Sequence, residues 1–439
     1  MSLLVYNLFL WLYKTGIWIV APWNGKAKLL LRGRKGLMQK IKASRPAATA
    51  GTLWMHCASL GEFEQGRPIL EEIRRNEPEK KIIISFYSPS GYEVMKDYPG
   101  ADFVFYLPPD SKKNARLFID AINPKLVIWV KYDYWFYYLK ELRKRKIPTL
   151  LISAIFLEDQ AFFRWYGGLY RSMLTCFTHI FVQHADSKNL LSTLNISNHV
   201  SISGDTRFDR VIEIAGKFES LPLAENFCKG HPVIVAGSTW EEDEEELDHF
   251  ANSRPDLMFI IAPHEVDQSH LREMENLFLR SIRYSSLENG SAGQQTASDE
   301  SRRKQIKGST NVANHPNVLI IDNVGLLSRL YRYGTIAYVG GGFGDDGVHN
   351  VLEAAVYGKP VVFGPVIEKY AEALELVDCG GGIVIDSAIE AESVFTSLLS
   401  DQEEYALHCE ASKNYVYSKR GATDHIVKFI QENRLLTNW

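Results

Sequence analysis

Three loops carry residue types able to do chemistry, and each follows a run of apolar residues. Ser59-Leu60-Gly61-Glu62 comes directly after Thr52 to Ala58. Gly61 permits a tight turn, and a carboxylate at Glu62, close to a helix start, could accept a proton from a substrate hydroxyl. The same residues also read as an ordinary helix start, with Ser59 as the cap and an acid in the first turn. Position alone leaves both readings open.

The second loop, Gly237-Ser238-Thr239-Trp240, follows the apolar run Val233 to Ala236. Small hydroxyl residues before a helix leave backbone N–H groups free to hold a phosphate. The acids that follow, Glu241 to Glu246, weaken such a field and read most plainly as a solvated helix face. Pro263-His264-Glu265 follows the run Met258 to Ala262; a lone histidine there is more often structural than catalytic. The third loop runs from Gly340 through His349, Asn350 and Glu353 to Ala355. Its glycines admit a ligand to bare backbone. His349-Asn350 is expected to open a helix with Glu353 one turn inside it, where a glutamate can bond a ribose hydroxyl while the helix start faces phosphate. The dinucleotide spacing G-x-G-x-x-G with its following unit is not kept, yet the context favours a nucleotide over a structural turn. Asp345-Asp346 are adjacent, would point differently and do not read as metal ligands. No metal and no cofactor is expected.

These loops need a scaffold that gathers strand ends. Thr52 to Ala58, Lys81 to Tyr87, Phe103 to Tyr106, Leu126 to Val130, Thr149 to Ser153 and Ile180 to Gln183 read as buried strands. Glu64 to Asn76, Ser111 to Ala121 and Trp135 to Lys146 read as helices between them, an alternation that implies a parallel α/β sheet. A turn-rich stretch follows at Ser201 to Asp209, and the pattern restarts near Lys229-Gly230-His231-Pro232. Val233 to Ala236, Met258 to Ala262, Val318 to Asp322, Thr335 to Val339 and Pro360 to Phe363 are its strands, and the polar stretch Ser285 to Pro316 reads as a mobile surface insertion. The expected division is 1–45 for an N-terminal anchor and basic arm, 46–220 for one Rossmann-like domain and 221–439 for a second. The two are expected to face each other across a cleft, with ligands at the strands' carboxyl ends.

The 439 residues suffice for two such domains. A net charge of -4 gives no overall pull toward nucleic acid, and none is expected as a partner. Five scattered cysteines, with no C-x-x-C spacing, argue against a zinc site or disulfide framework and for a reducing compartment. Met1 to Trp23 is nearly all apolar and rich in tryptophan and tyrosine, interrupted by Lys14. Lys26, Lys28, Arg32, Arg34, Lys35, Lys40, Lys42 and Arg45 follow, with no acid before Glu62. Aromatic residues favour the membrane interface, and basic ones favour anionic lipid on the cytoplasmic side. A cleaved signal peptide would carry its positive charge ahead of the apolar run. The membrane reading is preferred over a buried helix with a solvated basic loop; spanning or lying in the interface stays open, because the stretch is of marginal length.

In this order the segments resemble the bacterial Kdo (3-deoxy-D-manno-octulosonic acid) transferases of lipopolysaccharide synthesis, a family with the two-domain GT-B glycosyltransferase fold. Arg32-Gly33-Arg34-Lys35-Gly36 is similar to the basic stretch after the family's N-terminal anchor. Ser59-Leu60-Gly61-Glu62 resembles its S-x-G-E loop, which implies Glu62 as catalytic base. Gly204-Asp205-Thr206-Arg207-Phe208-Asp209 is similar to G-x-x-K-F-D with arginine for lysine, and Arg207 is a candidate partner for the Kdo carboxylate, set against a surface ion pair. His349-Asn350-Val351-Leu352-Glu353-Ala354-Ala355 resembles H-N-P-L-E-A-A, which closes on the donor nucleotide. Gly325-Leu326-Leu327 falls at a nucleotide-contacting loop, with Ser238, Pro263 and His264 completing the expected substrate-binding set. Two departures stand out: P-R-H is replaced by Pro263-His264-Glu265, and M-E-T-E-L-W-P by Val130-Lys131-Tyr132-Asp133-Tyr134-Trp135-Phe136. The second falls on the acceptor side or on local packing, not on the proposed base. The resemblance implies inverting transfer of Kdo from CMP-Kdo to a lipid A precursor (lipid IVA) at the cytoplasmic face of the cell inner membrane. The rivals are a GT-B transferase of a uridine nucleotide sugar to another lipid acceptor, and a non-catalytic membrane-bound nucleotide-binding scaffold.

Overall fold

Runs of fully apolar residues become central strands of parallel sheets, because such sheets are covered on both faces. The computed structural model of the chain describes residues 2–44, 51–288, 315–345 and 347–437. The expected insertion therefore lies outside the described residues over 289–314, as do Arg45 and Asp346.

The first sheet holds β1 (Thr52–Cys57), β2 (Lys81–Phe86), β3 (Phe103–Tyr106), β4 (Pro124–Val130), β5 (Thr149–Ala154), β6 (His179–Val182) and β7 (Val200–Ile202). All neighbours pair in parallel, in the order β3-β2-β1-β4-β5-β6-β7. The second holds β8 (Val233–Thr239), β9 (Met258–Pro263), β10 (Ser281–Arg283), β11 (Val318–Ile320), β12 (Ile336–Val339), β13 (Val361–Phe363) and β14 (Gly382–Val384). It too is wholly parallel, in the order β10-β11-β9-β8-β12-β13-β14. The architecture is that of the GT-B fold, two Rossmann-like α/β units. The predicted central strands are present, while three short strands, β7, β10 and β14, were not anticipated.

The units divide elsewhere than at the expected 220/221. One comprises residues 1–210 with 420–439, the other 211–419. The return of the C-terminus has a physical cause in the motif that ends the first unit. Phe208 is buried, and the Asp209 carboxylate accepts from the Gly421 and Thr423 amides, both at 2.6 Å. These amides open the helix Ala422–Glu432, whose N-cap, Gly421, has no side chain and a φ of 110°. Asp209 thus caps from a distance what the local sequence cannot. Ile426, Val427 and Ile430 then bury against Phe63, Ile69, Leu70 and Ile73 of α4 (Leu60–Asn76). At the other end of the chain lie three helices, α1 (Leu3–Val20), α2 (Gly25–Arg34) and α3 (Leu37–Ser44), all part of the first unit.

Asp209→Ala should cost about 1–2 kcal/mol of the first unit's stability, the usual worth of a lost N-cap. Amide exchange should speed up across residues 422–432 while β1 and β4 keep their protection; unchanged exchange there would refute the capping role.

Candidate active site

In an open parallel sheet, loops on either side of the point where strand order reverses splay apart and leave room for a ligand. In the first unit that point lies between β1 and β4. The β1 exit leads directly into α4, whose first turn carries Glu62, and the loop leaving β4 carries Lys131 and Asp133. Ser59 caps α4, its hydroxyl accepting from the Glu62 amide at 3.4 Å, while the Glu62 carboxylate reaches back to the Ala58 amide. The capping geometry is therefore present, but it does not exhaust the residue. Glu62 is only 8% exposed, and burial, followed by the neighbouring charge of Asp133, raises its pKa to about 7. The Ala58 and Tyr132 amides and the Lys131 charge pull in the other direction. An exposed first-turn glutamate would feel none of this; a carboxyl poised near 7 suits proton transfer.

Asp133 is itself held. Trp129 donates its indole N–H to the Asp133 carbonyl, and Trp135 donates to the carboxylate at 3.2 Å. His56, fully buried in β1, sets Nε2 3.5 Å from the same carboxylate oxygen and Nδ1 2.9 Å from the Ser85 hydroxyl. Its ring packs on Trp129 at 4.4 Å. Lys131, directly after β4, takes a φ of 51°, in the left-handed region, a strained conformation common where a backbone serves a site.

The second unit repeats the arrangement. Its strand order reverses between β8 and β12, and the loops leaving them meet. Ser238 takes a φ of 55°, at a register shift in the β8–β9 pairing between Gly237 and Thr239. A side chain at Gly237 would strike the Tyr331 hydroxyl and Leu327, so the expected Gly325–Leu327 segment packs directly on the β8 exit. Gly325 has a φ of 98°, and Leu327 opens the short helix Leu327–Leu330. Pro263 is buried at the end of β9, and the His264 amide donates to the Thr239 carbonyl at 2.9 Å. The Trp240, His264 and His349 rings lie nearly parallel: His264 is 4.7 Å from Trp240 and 4.4 Å from His349, with interplanar angles of 26° and 14°. Trp240 donates its indole N–H to His349 Nε2 at 2.9 Å, which places the ring proton of a neutral His349 on Nδ1.

Two expectations need correction. The helix in the third loop begins at Leu352 and ends at Ala355, with Val351 as its N-cap. His349 and Asn350 precede it, and Glu353 is its second residue rather than a turn inside. Asn350 bridges the start, accepting from the Leu352 amide at 3.3 Å and donating to Glu353 Oε1 at 3.0 Å. The acidic run is not wholly a solvated face either. In the helix Glu241–Ser253, Asp243 and Glu244 are buried. Asp243 accepts from the Trp240 amide (2.9 Å), the Gly341 amide (2.7 Å) and the Tyr338 hydroxyl (2.7 Å), tying the β8 and β12 loops together. Burial raises its pKa while these donors oppose the shift. Glu244 accepts from Thr239 and pairs with His270 at 2.9 Å. Gly341, at a φ of 90°, has no room for a side chain against the Gly347 carbonyl and the His349 ring.

Ser238, Pro263, His264, Gly325, Leu326, Leu327 and His349 to Glu353 thus lie at the carboxyl ends of one sheet's strands or in the loops and helix starts that follow them. Glu62 and Arg207 belong to the other unit. Arg207 Nε and Nη2 both lie 2.8 Å from the buried carboxylate of Asp205, so the ion-pair reading of Arg207 describes its geometry. Sequence reasoning missed His56, Lys131, Asp133, Trp240 and Asp243. Lys131 and Asp133 stood in a segment noted only as a departure, and Asp243 sat in a run whose composition suggested solvent. Among the described residues no group of three or more His, Cys, Asp or Glu side chains is placed to hold a metal ion.

Residues 31–210 match the family model described as 3-deoxy-D-manno-octulosonic-acid transferase (kdotransferase). A 3-deoxy-D-manno-octulosonic acid transferase of Aquifex aeolicus is 26% identical over 361 residues, 81% of this chain and 88% of that one. A bifunctional glycosyltransferase/methyltransferase of Fusobacterium nucleatum is 27% identical over 397 residues, 88% of this chain; the alignment spans only 55% of that longer protein. Among solved structures, the UDP-GlcNAc 2-epimerase of Neisseria meningitidis matches with a TM-score of 0.59 and 18% identity, over 87% of this chain and all of that one, a likeness of fold alone.

Asp243→Ala should leave two amides and a tyrosine hydroxyl without their acceptor and cost on the order of 3 kcal/mol, since each orphaned buried donor costs about 1–3 kcal/mol. Denaturant unfolding of the second unit reads the loss, and a shift under about 0.5 kcal/mol would show that the loops hold without it.

Proposed function

We propose, from the premise that this chain is a glycosyltransferase of the Kdo transferase family, that it moves Kdo from CMP-Kdo to a lipid A precursor such as lipid IVA. The observation that carries the reading is Glu62: an acid of the S-x-G-E loop, inside the family-matched span, buried at a strand-order reversal with its pKa near 7. In the proposed reaction the acceptor hydroxyl oxygen bonds to the anomeric carbon of Kdo as its proton passes to Glu62. The bond from that carbon to the phosphate oxygen breaks, CMP leaves with the electron pair, and the configuration inverts.

The donor would bind the second unit, with ribose near Glu353 and phosphate near Asn350, Ser238 and Gly325. The parallel rings of Trp240, His264 and His349 offer a flat surface beside these loops. Arg207 is the candidate partner of the Kdo carboxylate, with its Nε and Nη2 already paired to Asp205. The acceptor is lipid, which sets the work at the cytoplasmic face of the inner membrane.

Transfer is tested with freshly made CMP-Kdo and a tetraacylated lipid A precursor, with mass spectrometry of the product. A gain of one or more Kdo units is expected. No product from folded enzyme, together with uridine preferred over cytidine nucleotides in binding, would overturn the donor assignment. Glu62→Gln should keep the fold and lower turnover by roughly two to four orders of magnitude, the usual worth of a general base. The base must be ionised, so kcat/KM should fall as pH drops through about 7. Asp133→Asn removes a charge that raises the Glu62 pKa and should move that limb to lower pH; an unmoved limb would detach Glu62 from it.

A further inference from the structure

We infer that α1 lies in the plane of the membrane interface, held between the first unit and one anionic lipid leaflet, without crossing the bilayer. This rests on the membrane reading of the N-terminus and is independent of the role of Glu62. The helix is apolar and long enough to span, so length does not decide the matter; its contacts do. Tyr6, Leu10, Tyr13, Ile17 and Ala21 recur at intervals of three or four residues and share one face. That face is turned toward the protein from the first turn to the last. Tyr6, 3% exposed, donates to the buried Asp110 carboxylate at 2.6 Å and accepts from the Phe136 amide at 3.2 Å. Tyr13 packs 6.2 Å from the Tyr87 ring, Ile17 rests on the sheet's core, and Ala21 is buried. Beside this stripe Asn7 accepts from the Tyr137 hydroxyl at 2.8 Å. A helix held to the α/β unit at Tyr6, Asn7, Tyr13 and Ile17, from its first turn to its last, cannot traverse hydrocarbon without drawing that unit in with it.

Among the described residues nothing covers the opposite face. Leu4 (81% exposed), Trp11 and Trp18 (70%) stand out from it, and Trp23 (84%) from the turn that follows, the tryptophans being of the kind that settle at the headgroup level. Lys14, Lys26, Lys28 and Arg32 are exposed nearby, with no acid anywhere before Glu62; that imbalance favours an anionic lipid surface over a second protein. Arg34 is not part of this basic surface. Its guanidinium lies 4.3 Å over the Tyr87 ring and donates to the Leu107 and Tyr87 carbonyls.

The test uses the full chain in inverted inner-membrane vesicles, with Ser2→Cys, Cys409→Ser and native Cys379 retained. Exposed Cys379 marks the side on which the body lies. A membrane-impermeant maleimide should label both cysteines before detergent is added. Labelling of Cys379 with position 2 protected until detergent would mean that α1 spans, and would overturn the inference while leaving membrane association intact. A chain that does not float with phosphatidylglycerol-containing vesicles, or that instead pairs through α1 with a second copy, would overturn it along with the membrane reading. Trp11→Glu combined with Trp18→Glu should lower flotation by roughly tenfold or more with melting unchanged, since binding scales with the apolar area buried in lipid; full flotation would refute the assigned face.

Discussion

Parallel strand pairing is the constraint on which the rest depends. It sends every strand's carboxyl end to the same edge of its sheet, so each loop that follows a strand arrives where the others do. One reversal of strand order per sheet then decides which two loops stand apart. In the first unit these are the exits of β1 and β4; in the second, those of β8 and β12. Glu62 and Asp133 become neighbours for that reason, although 71 residues separate them in sequence. Trp240 meets His349 for the same reason.

Buried carboxylates do the fastening, and comparing them separates support from chemistry. Asp110 accepts from the Tyr6 hydroxyl and the Tyr137 and Tyr138 amides; its pKa, raised to about 6 by burial, is opposed by all three. Asp243 likewise sits among three donors, and the half-buried Asp209 holds two helix-opening amides. Each joins elements distant in sequence, and each substitutes protein donors for water, which is what a buried acid needs to be tolerated. Glu62 differs in the weight of its carboxylate neighbour: the Asp133 charge ranks next after burial in raising its pKa, whereas at Asp243 the three donors outweigh the Glu242 charge. Like charges set side by side raise the proton affinity of the pair instead of settling it. Such an arrangement adds nothing to a cap, but it is what a proton acceptor working near neutrality requires.

The fold was legible wherever burial leaves a mark on composition. Strands covered on both faces, such as Leu126 to Val130 and Thr149 to Ser153, are continuous apolar runs and were read nearly to the residue. The edge strands β7, β10 and β14 have only three residues each and are partly exposed, so neither alternation nor a long apolar run distinguishes them from turns. The domain boundary was misplaced because Asp209 acts across more than two hundred residues on a glycine, and no local pattern announces a cap supplied from elsewhere. Loops that precede helices gave up Glu62, Ser238 and the His349–Glu353 segment. What stayed hidden were partners whose meaning lies in their neighbours. Asp243 and Glu244 look identical in composition to the exposed acids around them, and His56 looks like any polar residue in a strand. Asp133 looks like a departure from a motif until the sheet brings it beside Glu62.

The N-terminal helix and Glu62 are joined through the same loop. Tyr13 of α1 packs on Tyr87, Tyr87 stacks on Trp135 at 4.5 Å, and Trp135 donates to the Asp133 carboxylate that raises the Glu62 pKa. Tyr6 meanwhile accepts from the Phe136 amide, one residue further along. The segment 131–136 therefore has α1 on one side and Glu62 on the other. Tyr134 and Phe136 supply rings that pack against Phe162 and Tyr6. Fixing α1 and Glu62 within one unit ties the position of the helix to that of the carboxyl, and orientation of this kind is among the largest contributions a protein can make to rate.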